Sequence, residues 1–94
     1  RRINVPMVEK EVKVRSDAGV HARPAMMFVR EAMKYPCEVF LIKDEIEANG
    51  KSIMSVLGLA ITSGSQLIVR AHGDQETEAV DTLTSLIEND FQQK

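Results

Sequence analysis

Pro24 and Pro36 bracket one stretch of this chain closely enough to dictate its structure. A proline is tolerated in the first turn of an α-helix, where its missing N–H costs nothing, and breaks the helix anywhere deeper. It also pushes the residue before it out of the α region. Between the two prolines, Ala25, Phe28, Val29, Ala32 and Met33 recur at the i, i+3, i+4, i+7, i+8 spacing of an amphipathic helix. That spacing predicts a helix from about Ala22 to Lys34, closed ahead of Tyr35-Pro36, with the stripe buried.

His21 stands immediately before this helix, at or next to its N-cap. The first backbone N–H groups of a helix have no intrahelical partner, and they share its positive dipole end, so an anion is welcome there. Arg23 adds a permanent charge whose planar fork suits a phosphate bidentately. Imidazole has an unperturbed pKa of roughly 6.5, so its neutral, nucleophilic form is plentiful near neutral pH. The combination is the minimum kit for a transient phosphohistidine. His72 has no acid, base or anion motif around it and reads as surface.

The remaining chain alternates strand and helix periods. Residues 1–7 carry Pro6 and no clear period, and read as an arm. Val8, Val12 and Val14 alternate with charged residues in a half-buried strand, with Lys10 expected to delay firm pairing. Ser16-Asp17-Ala18-Gly19 is a small, polar loop. A second strand runs from Cys37 to Lys43, a tight turn at Asp44-Glu45 leads into a short third through Ile46 and Ala48, and Asn49-Gly50 closes it. Ser52 is a natural N-cap for a helix of at most two turns, with Val56, Leu59 and Ala60 on its core side. Leu67, Val69 and Ala71 mark a fourth strand. Asp74 is expected to cap a last helix that has Glu76 in its first turn and Ala79, Val80, Leu83, Ile87 and Phe91 in its buried stripe. The order β-α-β-β-α-β-α predicts an α+β fold, with helices covering one face of a mostly antiparallel sheet. Phe40, Ile42 and Ile68 form a second apolar stripe on its open face.

At 94 residues the chain is long enough for one core, hence one domain over residues 1–94. The formal net charge of −2, without a basic cluster, argues against nucleic acid or an anionic membrane as partner. No apolar run reaches the length of a membrane span. One cysteine and two histidines build neither a disulfide nor a zinc site, so no metal or cofactor is expected. The lone Cys37 reads as a small buried hydrophobe, and with no leader pattern it suggests a cytoplasmic location.

Two motifs carry a family resemblance. Gly19-Val20-His21-Ala22-Arg23-Pro24-Ala25 resembles the active-site signature of HPr, the histidine-containing phosphocarrier family of the bacterial phosphoenolpyruvate:sugar phosphotransferase system. Asn49-Gly50-Lys51-Ser52-Ile53-Met54-Ser55-Val56-Leu57 resembles that family's second signature, around its regulatory serine, and the similarity runs from about Val8 to Phe91. The resemblance implies an open-faced β-sandwich with sheet order 1-4-2-3 and the short helix near the histidine. It implies a monomeric phosphoryl carrier rather than an enzyme. Phosphate would arrive on Nδ1 of His21 from enzyme I and leave to a sugar-specific IIA domain. Ala22, Arg23 and the Ala18 position would hold it, and Val20, Pro24, Ile53, Met54 and Leu57 would meet partners. Ser52 would be the target of an HPr kinase/phosphorylase and a contact for a transcriptional regulator. Ala18 departs from the family, which often carries a short polar side chain there, so the load should shift to backbone amides and Arg23.

Two other classes compete. One is a regulatory relative acting mainly through Ser52, without sugar transport, against which the intact His21 and Arg23 argue. The other is a small acid–base enzyme using His21, which lacks a second titratable group close by in sequence.

Overall fold

The computed structural model describes residues 7–15 and 22–91. The expectations for residues 1–6, for the loop 16–19 and for Val20 and His21 lie outside them. The elements run β1 (Val8–Lys13), α1 (Ala22–Ala32), β2 (Glu38–Lys43), β3 (Ile46–Asn49), α2 (Ile53–Leu57), β4 (Gln66–His72) and α3 (Glu76–Glu88). The four strands form one antiparallel sheet in the order β1-β4-β2-β3.

Alternation decides which face of the sheet is covered. Val12, Val39, Leu41, Ala48, Leu67, Val69 and Ala71 are buried and join Phe28, Val80, Leu83 and Ile87 of the helices in one core. α1 ends at Ala32, not Lys34, and i→i+3 bonds from Lys34 to Glu31 and from Tyr35 to Ala32 tighten its exit. Met33 therefore leaves the stripe and is 65% exposed.

The opposite face carries Phe40 and Ile68, both half-buried, and Ile42, which is buried. Arg70, opposite Phe40 in the register, bridges Glu9 on β1 and Glu47 on β3 at 2.7 and 3.0 Å. This network spans the open face above the apolar residues.

Three local expectations need correction. Lys10 does not delay pairing, which starts at Val8 opposite Ala71. Its ammonium meets Asp81 of α3 at 2.9 Å, so the edge strand tolerates a charge at a core-parity position. Asp74 does not cap α3. The N-cap is Gln75, left-handed at φ 66 with no side-chain cap bond, and Glu76 instead accepts from the Gly73 amide at 2.9 Å. Ala60 is exposed at φ 52, whereas Val56 and Leu59 are buried as expected. The Asp44-Glu45 turn has φ 52 and 68, and Lys43 pairs with Ile46 across it, the geometry of a two-residue primed turn.

Burial raises the Cys37 thiol above its ordinary 9.0, with the Lys51 ammonium pulling back less strongly. As pH climbs past 9.0 the unfolded chain ionises first, so stability falls until the folded thiol also titrates. Denaturation of Cys37→Ala beside the wild type between neutral and alkaline pH should show a gap that changes only above that value. Gly50 offers a second test. A Cβ there would stand 2.7 Å from Val39 Cγ1 and 3.2 Å from Phe28 Cε1. Gly50→Ala should lower unfolding free energy by about 1–3 kcal/mol in urea denaturation.

Candidate phosphate-carrying and docking face

The amino end of α1 is built as its sequence requires. Ala22 is its first residue, so the amides of Ala22 and Arg23 have no intrahelical acceptor, and Pro24 has no amide to leave unsatisfied. His21 precedes Ala22 in sequence. Arg23 is exposed and makes no ion pair among the described residues; Pro24 is half-buried. What fixes this end is the other side of the helix, where Ala25, Phe28, Val29 and Ala32 are buried.

α2 lies against α1. Ser52 is its N-cap, extended at φ −119, and its hydroxyl oxygen accepts from the Ser55 amide at 3.3 Å. The loop before it is tied twice: Asn49 Oδ1 accepts from the Lys51 amide at 2.9 Å, and Lys51 Nζ donates to the Tyr35 carbonyl at 2.6 Å. Tyr35 in turn donates its hydroxyl to Thr82 Oγ1 of α3 at 3.0 Å. The serine is thus anchored to the carboxyl end of the helix whose amino end follows His21.

Met54 is 75% exposed, while Ile53 and Leu57 are half-buried and packed against the core. Leu57 therefore serves the core as well as the surface, although the sequence pattern assigns only Val56, Leu59 and Ala60 to the core side of this helix and leaves Leu57 free for partners.

A family model described as "PTS HPr component phosphorylation site" matches residues 8–89. The HPr-like protein Crh of Halalkalibacterium halodurans is 44% identical over 89% of this chain and 100% of its own length. Phosphocarrier protein HPr of Treponema pallidum is 39% identical over 94% of this chain and 100% of its own. The crystal structure of HPr-C-His from Thermoanaerobacter tengcongensis superposes with a TM-score of 0.87 at 36% identity, covering 93% of this chain and 98% of that one.

The chain belongs to the HPr family. Members are phosphocarrier proteins, not enzymes. In this HPr-family chain α1 and α2 bring Arg23, Ser52, Met54 and Leu57 onto neighbouring elements. Ala18, Val20 and His21 remain outside the described residues. Among the described residues no group of His, Cys, Asp and Glu is suited to a metal, and no helix is long and apolar enough to cross a membrane.

Sequence reasoning overlooked the outward face of α1, where Ala22, Arg23, Met26, Met27 and Arg30 line one depression. The i, i+3, i+4, i+7 spacing of the last four was the available signal. It also overlooked Lys51 as a tether, for which no local pattern exists.

Exposure separates the two α2 residues energetically. Met54→Glu should keep unfolding free energy within about 0.5 kcal/mol of wild type, whereas Leu57→Glu should cost about 1–3 kcal/mol. Urea denaturation checks both, and equal losses would contradict the assigned faces.

Proposed function

We propose that this chain receives a phosphoryl group on Nδ1 of His21 from phosphorylated enzyme I and passes it to a IIA domain of the sugar phosphotransferase system. The observation that carries this reading is the start of α1. Immediately after His21 in sequence come two amides without intrahelical acceptors and an exposed guanidinium. The neutral imidazole attacks phosphorus, the new N–P bond forms as the donor's N–P bond breaks, and the donor histidine leaves neutral. Transfer to the next histidine repeats the exchange. The Ala22 and Arg23 amides, the Arg23 side chain and the backbone at Ala18 hold the phosphoryl oxygens. Each copy carries His21, Arg23 and Ser52 itself, which is enough for the relay to run as a monomer; in this reading it does so without cofactor and in the cytoplasm. Val20, Pro24, Ile53, Met54 and Leu57 meet both partners.

Ser52 is the regulatory site, modified by an HPr kinase/phosphorylase. Its phosphate adds nearly two negative charges beside exposed Met54. A short helix accepts that charge at its amino end, but a docking partner must desolvate or face it.

The 44% identity to an HPr-like protein Crh favours a second reading, a regulator acting mainly through Ser52 on a transcriptional partner without sugar transport. His21 separates the two, because a purely regulatory chain needs no phosphorylatable imidazole.

Incubation with phosphoenolpyruvate and limiting enzyme I tests the reading. Wild type should take up phosphate, His21→Ala should take up none, and Arg23→Ala should slow about tenfold to a hundredfold. Ser52→Asp should slow by at least about tenfold, the loss expected when docking weakens by about 1.4 kcal/mol. Uptake by His21→Ala at the wild-type rate would refute the relay, and wild-type speed in Ser52→Asp would refute the switch.

A further inference from the structure

Three thioethers lie on the two neighbouring helices described above. On α1, Met26 is 45% exposed and shares a depression with Arg23, Met27 and Arg30. Met27 is half-buried and packs against the core. On neighbouring α2, Met54 is 75% exposed. The buried sulfur of Cys37, 2% exposed, stands apart from them.

Exposed thioethers react with peroxides without first losing a proton, so accessibility governs which ones are oxidised. We propose that Met26 and Met54 are modification sites at which peroxide reversibly disables the phosphoryl relay. The inference rests on the docking and Arg23 roles given above.

The chemistry closes. A sulfur lone pair attacks one peroxide oxygen, the O–O bond breaks, and that oxygen stays on sulfur as a sulfoxide. The other leaves as water when the oxidant is hydrogen peroxide. Sulfur loses two electrons and the peroxide gains them. A dithiol-dependent methionine sulfoxide reductase reverses the step, releasing the oxygen as water and forming a disulfide from the dithiol.

The consequence follows from position. A sulfoxide is a polar acceptor where a partner expects an apolar, adaptable side chain, so its oxygen must be stripped of water on docking. At Met26 it lies three residues after Arg23 and four before Arg30, on the same helix face. There the new acceptor competes for the guanidinium that the phosphoryl group requires. Neither side chain belongs to the buried core, so the fold is spared.

The test uses the full chain. Treat it with graded hydrogen peroxide, quench with catalase, and locate added oxygen by peptide mass spectrometry. Then measure enzyme I-dependent phosphorylation before and after incubation with sulfoxide reductases and dithiothreitol. Sulfoxide should appear on Met26 and Met54 before Met27. The KM for the oxidised carrier should rise about tenfold at unchanged melting temperature, and reduction should restore it. In the Met26→Leu/Met54→Leu chain, whatever its own rate, the ratio of oxidised to reduced rates should stay near unity. That control assigns the effect despite Met7 and Met33, which are also exposed. Equal KM for oxidised and reduced wild type overturns the proposal and leaves the relay standing. So does an equal loss in the double variant, or a fall in melting temperature that tracks the loss. A reduced wild type that accepts no phosphate overturns the relay and this inference together.

Discussion

The helices cover one face of the sheet, and both long helices must lie on that face to complete its core. Val39, Leu41, Leu67, Val69 and Ala71 present an apolar surface that Phe28 from α1 and Val80, Leu83 and Ile87 from α3 complete. At 11 residues α1 is too short to persist alone in water. It exists because Ala25, Phe28, Val29 and Ala32 are removed from solvent, with Phe28 alone contributing about 1.5–3 kcal/mol. Burial of one side leaves the other side free, and the free side carries Arg23, Met26 and Arg30. Core packing and presentation of the site are therefore two faces of one helix.

The same constraint joins Ser52, the proposed regulatory serine, to that helix. Gly50 lies against Val39 and Phe28 because it lacks a Cβ, and this close approach brings the loop beneath the end of α1. Lys51 then reaches the Tyr35 carbonyl, and the Tyr35 hydroxyl reaches Thr82. α1, the Ser52 cap and α3 are thereby linked through hydrogen bonds of 2.6 and 3.0 Å. In the proposed switch, charge placed on Ser52 would act next to the candidate docking face without dismantling it, which suits a device that regulates recognition rather than folding.

Much of this was legible in the sequence, for physical reasons. Pro24 and Pro36 limited α1, the alternation in Leu67, Val69 and Ala71 marked β4, and Ser52 announced its cap through residue type and the run behind it. The sheet order was not legible from periodicity, because alternation says which face is buried and not which strand is the neighbour; it came from the family resemblance. Met33 misled because an apolar residue at the right spacing still escapes burial when the helix ends before it. Asp74 misled because Gln75 takes a left-handed conformation and Glu76 reaches back to Gly73 instead. The depression beside Arg23 was hidden because methionine and arginine on the outward face of a helix look like ordinary surface in a sequence.

The most direct measurement is nitrogen NMR of the histidine-labelled chain incubated with phosphoenolpyruvate and a catalytic amount of enzyme I. The account predicts that one imidazole, that of His21, shows the shift of an Nδ1 phosphoramidate while His72 stays unmodified. Acid should remove the adduct and alkali should preserve it. An adduct on Ser52 or His72, or an unchanged His21 when enzyme I is itself phosphorylated, would contradict the account.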